Sequence, residues 1–144
     1  MINSIHSALW EWFLQCQPIT KLFFNFSGTD DGDTAIITSG DTVLEAYIDG
    51  SQRRQYAFEL ARYLPVTFAE NDSGNVMMIE DAETVVEWVK QQCAAGNMPV
   101  FPDGYTIEEI DVLDSYTGYV AAQDENTAKY MIPFAIYYIK GADL

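Results

Sequence analysis

Two long runs in which apolar and polar residues alternate, Gln52 to Phe68 and Ala128 to Ile139, constrain this chain more than anything else in it. A period of two puts successive side chains on opposite faces of an extended backbone, so each run predicts a long, half-buried strand. The first run follows Val43 to Ile48 and the dipeptide Asp49-Gly50. Asp-Gly supplies the positive φ angles of a tight turn, so the two segments predict a β-hairpin. In its second arm Tyr56, Phe58, Leu60 and Leu64 share one side, and Gln55, Glu59 and Tyr63 the other. Arg62 interrupts the apolar side and is expected at a sheet edge or beside a bulge that shifts the register. In the later run Tyr130, Ile132, Phe134, Ile136 and Tyr138 alternate with Lys129, Met131, Pro133, Ala135 and Tyr137. Pro133 cannot donate to a ladder, which predicts an open edge beside it.

Around these runs the period changes. Ile2, Ile5, Leu9, Trp12 or Phe13 and Cys16 recur in steps of three and four, the mark of one helical face, and Pro18 is expected to close that helix. Met78, Ala82, Val85, Val86, Val89 and Cys93 form a second such face, behind the cap-forming residues Asn71 to Gly74 and ended by Gly96-Asn97. Shorter strands are expected at Lys21 to Phe26, Thr34 to Thr38, Tyr105 to Leu113 and Tyr119 to Gln123, the second ending at Ser39-Gly40. The order α, four strands, α, three strands predicts a single α+β domain over residues 1–144, mainly antiparallel sheet with two packed helices.

Composition narrows the function. Seven Lys plus Arg against 22 Asp plus Glu give a formal net charge of −15 at pH 7. Such a surface repels phosphate and anionic lipid, so neither sequence-specific nucleic-acid binding nor membrane binding is expected. The apolar stretch Ala8 to Leu14 contains Glu11 and is far short of a span, so no signal peptide or membrane anchor is expected either. Cys16 and Cys93 both fall in helical patterns and are expected to be free thiols of a reduced, cytoplasmic protein.

Residues with catalytic or metal-binding chemistry are sparse. His6, the one histidine, has no Cys, Asp or Glu spaced to share a metal, and is expected to be solvated. Asp30, Asp31 and Asp33 invite a calcium reading, but a loop starting at Asp31 has Ala35 and Ile36 at its fifth and sixth positions and Thr42 at its twelfth, so a solvated acidic turn is expected. Pairs such as Glu108 with Glu109 arise readily among 22 acids, and no nucleophile elbow, phosphate loop or C-x-x-C is present. No catalytic residue, metal ligand or cofactor is assigned.

Two features point to an assembly surface. Arg53-Arg54, just past the turn, hold two of the seven cations; they either guard an edge strand against unwanted pairing or contact the acidic surface of a neighbouring copy. The chain also has nine Tyr, eight Phe and three Trp, more than one sheet face under two helices hides easily. Tyr47, Arg53, Arg54, Tyr56 and Tyr63 are the candidate subunit-interface residues.

The run Leu22 to Gly28, the segment Asp33 to Ile37 through Tyr47 to Ser51, the strand Arg54 to Leu60, and Trp88 to Gln92 followed by Gly96 to Pro99 resemble the small minor capsid or tail-terminator proteins of tailed bacteriophages and prophages. The resemblance covers almost the whole chain in matching order of elements, and its motifs are structural. It implies an α+β subunit of a ring, commonly six-fold, that stops tail-tube growth and joins the tube to the head. The partners it implies are further copies of the chain, the tail-tube protein and a head–tail connector protein. The place it implies is the virion, reached from the host cytoplasm. An acidic wall suits such a ring, because it repels DNA in transit. The alternative is an acidic DNA mimic that inhibits a nucleic-acid-binding protein, with carboxylates standing in for phosphates.

Overall fold

The computed structural model describes residues 4–16, 19, 21–24, 33–65, 73–112, 120–122 and 127–142. Its element order is α1 (Ile5–Phe13), β1 (Lys21–Phe24), β2 (Asp33–Ala46), β3 (Gln52–Pro65), α2 (Ser73–Ala94), β4 (Tyr105–Val112), β5 (Val120–Ala122) and β6 (Thr127–Lys140). The fold is α+β. The strands form one sheet in the order β1-β2-β3-β6-β4, with β5 also paired to β6. Every pairing is antiparallel except β1 with β2, which is parallel.

Both alternating runs form long central strands. β3 and β6 pair without a register shift from Gln52↔Lys140 to Pro65↔Thr127. Because the side-chain period is two, one face of this pair collects Tyr56, Phe58, Leu60, Ile132, Phe134 and Ile136, all buried. Phe58 and Phe134 stack across the strands at 5.2 Å. The reverse face keeps a smaller buried patch of Ala35, Ala61, Tyr63 and Ala135. Pro133 lies opposite Glu59. β6 is an interior strand, yet on its other side β4 pairs only as far as Phe134 and β5 only from Tyr130. Among the described residues the proline therefore lies in a gap between two partner strands, a place where a missing donor is tolerated.

The segments expected as separate strands, Thr34 to Thr38 and Val43 to Ile48, are one strand. β2 runs through Ser39-Gly40 by means of two register shifts, between Thr38 and Gly40 and between Val43 and Glu45. Each leaves one extra residue in β2, so Gly40 marks a bulge where a terminus was expected.

The helices cover the apolar face. Ser4 caps α1, its hydroxyl accepting from the Ser7 N–H, and Ala8, Leu9, Trp12 and Phe13 are buried. Phe13 meets Phe58 at 5.9 Å and Phe134 at 6.0 Å. Trp12 contacts Trp88 of α2 at 4.8 Å and donates its indole N–H to the carbonyl of Asn97 at 2.8 Å, tying α1 to the end of α2. That end is a Schellman closure, with Asn97 N–H on Gln92 O, Gly96 N–H on Cys93 O, and Gly96 at φ 77°. Of the face predicted for α2, Ala82, Val85, Val86 and Val89 are buried and Cys93 is half-buried. The expected contributions of Ile2, Pro18, Asn71, Leu113, Tyr119 and Gln123 lie outside the described residues.

Arg62 is neither at an edge nor beside a bulge. Thr34, Arg62 and Tyr130 lie directly opposite one another on β2, β3 and β6 in regular register, and the Arg62 side chain is 3% exposed. α2 lays Asp81 over it. The guanidinium donates from Nε to Asp81 Oδ2 at 2.6 Å, from Nη2 to Oδ1 at 3.0 Å, and from Nη1 to Thr34 Oγ1 at 2.8 Å, while the Tyr130 hydroxyl donates to Asp81. Burial works against the charge, and the Asp81 bonds more than offset it, so the arginine pKa stands above its ordinary value. The apparent break in the pattern is a bidentate buried pair that fixes α2 on the sheet.

Candidate interaction surface

The hairpin turn is built by its own residues. Gly50 N–H donates to Tyr47 O at 3.0 Å and Tyr47 N–H to Ser51 O at 2.9 Å, with Gly50 at φ 93°. Asp49 Oδ1 accepts from the Ser51 hydroxyl at 2.6 Å and from the Ser51 N–H at 2.9 Å, which lowers its pKa. Beside the turn, Tyr47 donates to Glu45 Oε2 at 2.7 Å.

β1 pairs β2 only at residues 33–36, so beyond Ile36 the outer edge of β2 has no partner among the described residues. Residues 39–50 are all exposed. Four large apolar side chains stand among them: Val43, Leu44 and Tyr47, each more than two-fifths exposed, and Ile48, fully exposed. Leu44 is the extra residue of the second register shift. The edge is protected by irregularity rather than by positive charge: two bulges disrupt its ladder and Asp41 and Glu45 lie along it.

The five candidate interface residues divide. Tyr47 is exposed on this edge. Arg53 and Arg54 are each engaged by an acid of their own chain. Arg53 Nε donates to Glu108 Oε1 at 2.8 Å, with the guanidinium carbon 5.2 Å from the Tyr137 ring centroid. Glu108 is the extra residue of a register shift in β4, which aims its carboxylate across β6. Arg54 Nε donates to Asp41 Oδ1 at 3.1 Å, and Tyr138 donates to both Asp41 oxygens at 2.9 and 2.8 Å. Tyr56 and Tyr63 are each 2% exposed, Tyr56 under α1 and Tyr63 on the reverse face, so both pack within their own subunit. The exposed apolar residues of this edge that sequence reasoning did not single out are Val43, Leu44 and Ile48. An Asp-Gly turn flanked by three aliphatic side chains was the available signal.

His6 is exposed but not idle: its Nδ1 is hydrogen-bonded to the Tyr56 hydroxyl at 2.8 Å, and its ring meets Phe24 edge-on at 5.3 Å. The expected solvated histidine thus satisfies the polar end of a buried tyrosine. Cys16 and Cys93 are free thiols. Burial raises the Cys16 pKa to about 11. Among the described residues no group of three His, Cys, Asp or Glu side chains could hold a metal ion, and no helix is long and apolar enough to cross a membrane. Of the acidic cluster Asp30, Asp31 and Asp33, expected as a solvated turn, only Asp33, at the start of β2, falls within the described residues. No family model matches the sequence, and a search of curated proteins finds no match.

Proposed function

We propose that this chain is a structural subunit of a tailed bacteriophage or prophage, a tail-terminator-like protein that forms a closed ring of identical copies, caps the tail tube and joins it to the head. The observation that carries the reading is the apolar edge at residues 39–50, whose outer side has no partner among the described residues. Single exposed aliphatic residues are ordinary, but Val43, Leu44, Tyr47 and Ile48 fall within six positions on one open strand and turn, a grouping that suits a surface covered by another protein. The opposite margin of the sheet is β4, so each subunit carries two different edges. Contacts between unlike patches run head to tail and close into a ring when the rotation per subunit fits.

The chain-long resemblance supports the identity of the assembly, and the net charge of −15 suits a wall past which DNA slides. In this reading the partners are other copies, the tube protein and a connector protein. No reaction, cofactor, membrane or sequence-specific nucleic acid is involved. The protein resides in the virion after assembly in the host cytoplasm.

The test is co-sedimentation of the purified chain with tail tubes assembled from the tube protein of the same phage, followed by native mass spectrometry of what is released. Capture at tube ends as a defined oligomer is expected. Failure to bind tubes contradicts the reading, whereas a free monomer does not, because the tube can act as the template. The DNA-mimic reading draws on Glu80, Glu83 and Glu87, exposed at i, i+3 and i+7 along α2. It expects salt-sensitive capture of a basic DNA-binding protein, and is lost if Glu80→Gln with Glu83→Gln leaves that capture unchanged.

A further inference from the structure

Trp10 is left out of the apolar face of α1. Its neighbours Leu9 and Trp12 are buried, yet Trp10 is 38% exposed, with its indole N–H donating to the carbonyl of Leu22 on β1 at 3.2 Å. That bond holds the ring across the gap between helix and strand, where it walls a pocket of about 310 Å³ with His6, Ser7, Glu11 and Phe24. The other walls are held as well. His6 is fixed by Tyr56 and by the Phe24 ring, and the Ser7 hydroxyl meets that of Ser4 at 2.9 Å. The volume is near the lower end of ligand pockets, about 300–1,000 Å³, so it admits a side-chain-sized group.

The geometry points to a binding site for an organic cation, a guanidinium or alkylammonium group held against Trp10 and Phe24 with Glu11 as its counter-ion. Aromatic faces carry negative potential and attract a cation set against them. Among the described residues Glu11 has no ion pair, and no Lys or Arg is among those that line the pocket. The net charge of −15 raises the local concentration of cations around the whole molecule. An anion meets the opposite conditions, and a neutral apolar group leaves the Glu11 carboxylate unused. The pocket is built on α1 and β1 and owes nothing to the 39–50 edge, so this inference and the ring assembly stand or fall separately.

The test follows the Trp10 indole N–H in proton–nitrogen correlation spectra, assigned with Trp10→Phe. The wild-type chain is titrated with choline, with its uncharged isostere 3,3-dimethylbutan-1-ol, and with N-acetyl-arginine amide. Saturable shifts with at least one of the two cations are expected at millimolar concentration, with the alcohol weaker by about tenfold. Tighter binding of the arginine derivative identifies the source as a partner's side chain, and tighter binding of choline a free quaternary ammonium compound. Glu11→Gln should weaken the cation by about tenfold, while Glu109→Gln, exposed on β4, should leave it unchanged. Equal affinity for choline and the alcohol, an undiminished Glu11→Gln variant, or no saturable shift with either cation overturns the assignment.

Discussion

Replacing Asp81 by Asn tests whether the Arg62 pair is the clamp that holds α2 on the sheet. The substitution keeps the size of the side chain and one acceptor, but removes the charge facing a guanidinium that is 3% exposed. Among the described residues Asp81 accepts from two donors of Arg62 and Thr34 from another. Breaking a buried pair from one side costs about 3–5 kcal/mol, because the remaining charge stays desolvated. Asn retains one acceptor and the Asp81 side chain is 19% exposed, which favours the lower end, about 3 kcal/mol. With a urea m-value of about 2 kcal/mol/M, the unfolding midpoint should fall by about 1.5 M with m unchanged. The double variant Arg62→Met with Asp81→Leu should lose less than Asp81→Asn alone, since it removes both desolvation terms together. A loss below about 1 kcal/mol for Asp81→Asn, the range of exposed ion pairs, refutes the reasoning.

Other outcomes follow from the same structure. Cys16 has its pKa raised by burial to about 11 from an ordinary 9.0, so its contribution to stability is complete below pH 9.0 and is lost as pH rises toward 11. In urea unfolding at successive pH values, Cys16→Ala should reduce the decline across that window, and an identical decline contradicts it. Native-state alkylation should label half-buried Cys93 before buried Cys16, as read by peptide mass spectrometry. Gly50→Ala forces a Cβ into φ 93° and should cost about 1–2 kcal/mol in thermal unfolding, although the nearest atom, Ala142 Cβ, is at an ordinary 3.4 Å. A loss under a few tenths of a kcal/mol would show the turn relaxing to negative φ.

What the sequence made legible was local. The hairpin, the α2 face and the alternation of β6 each depend on a period of two or 3.6 within one segment, and the structure has all three. The α+β class followed from their order. Less visible were features set by partners far along the chain. Asp81 lies 19 positions from Arg62, and nothing near Arg62 announces its counter-ion. Glu108 lies 55 positions from Arg53, brought to it by a register shift that periodicity does not encode. For the same reason Tyr56 and Tyr63 read as surplus aromatics, although each is buried within its own subunit. The union of two expected strands into β2 depends on bulges, and Gly40 alone suggests a bulge and a strand end equally.

The measurement that most directly tests the assembly account is tube capture by a variant that alters only the exposed edge. Val43→Glu with Ile48→Glu changes two exposed side chains and should shift thermal stability by no more than about 1 kcal/mol in total. The account predicts that wild-type chain caps tail tubes at a fixed number of copies per end, while the equally stable variant fails to cap them. Capping by the variant at the wild-type level, or no capping by the wild-type chain, contradicts it.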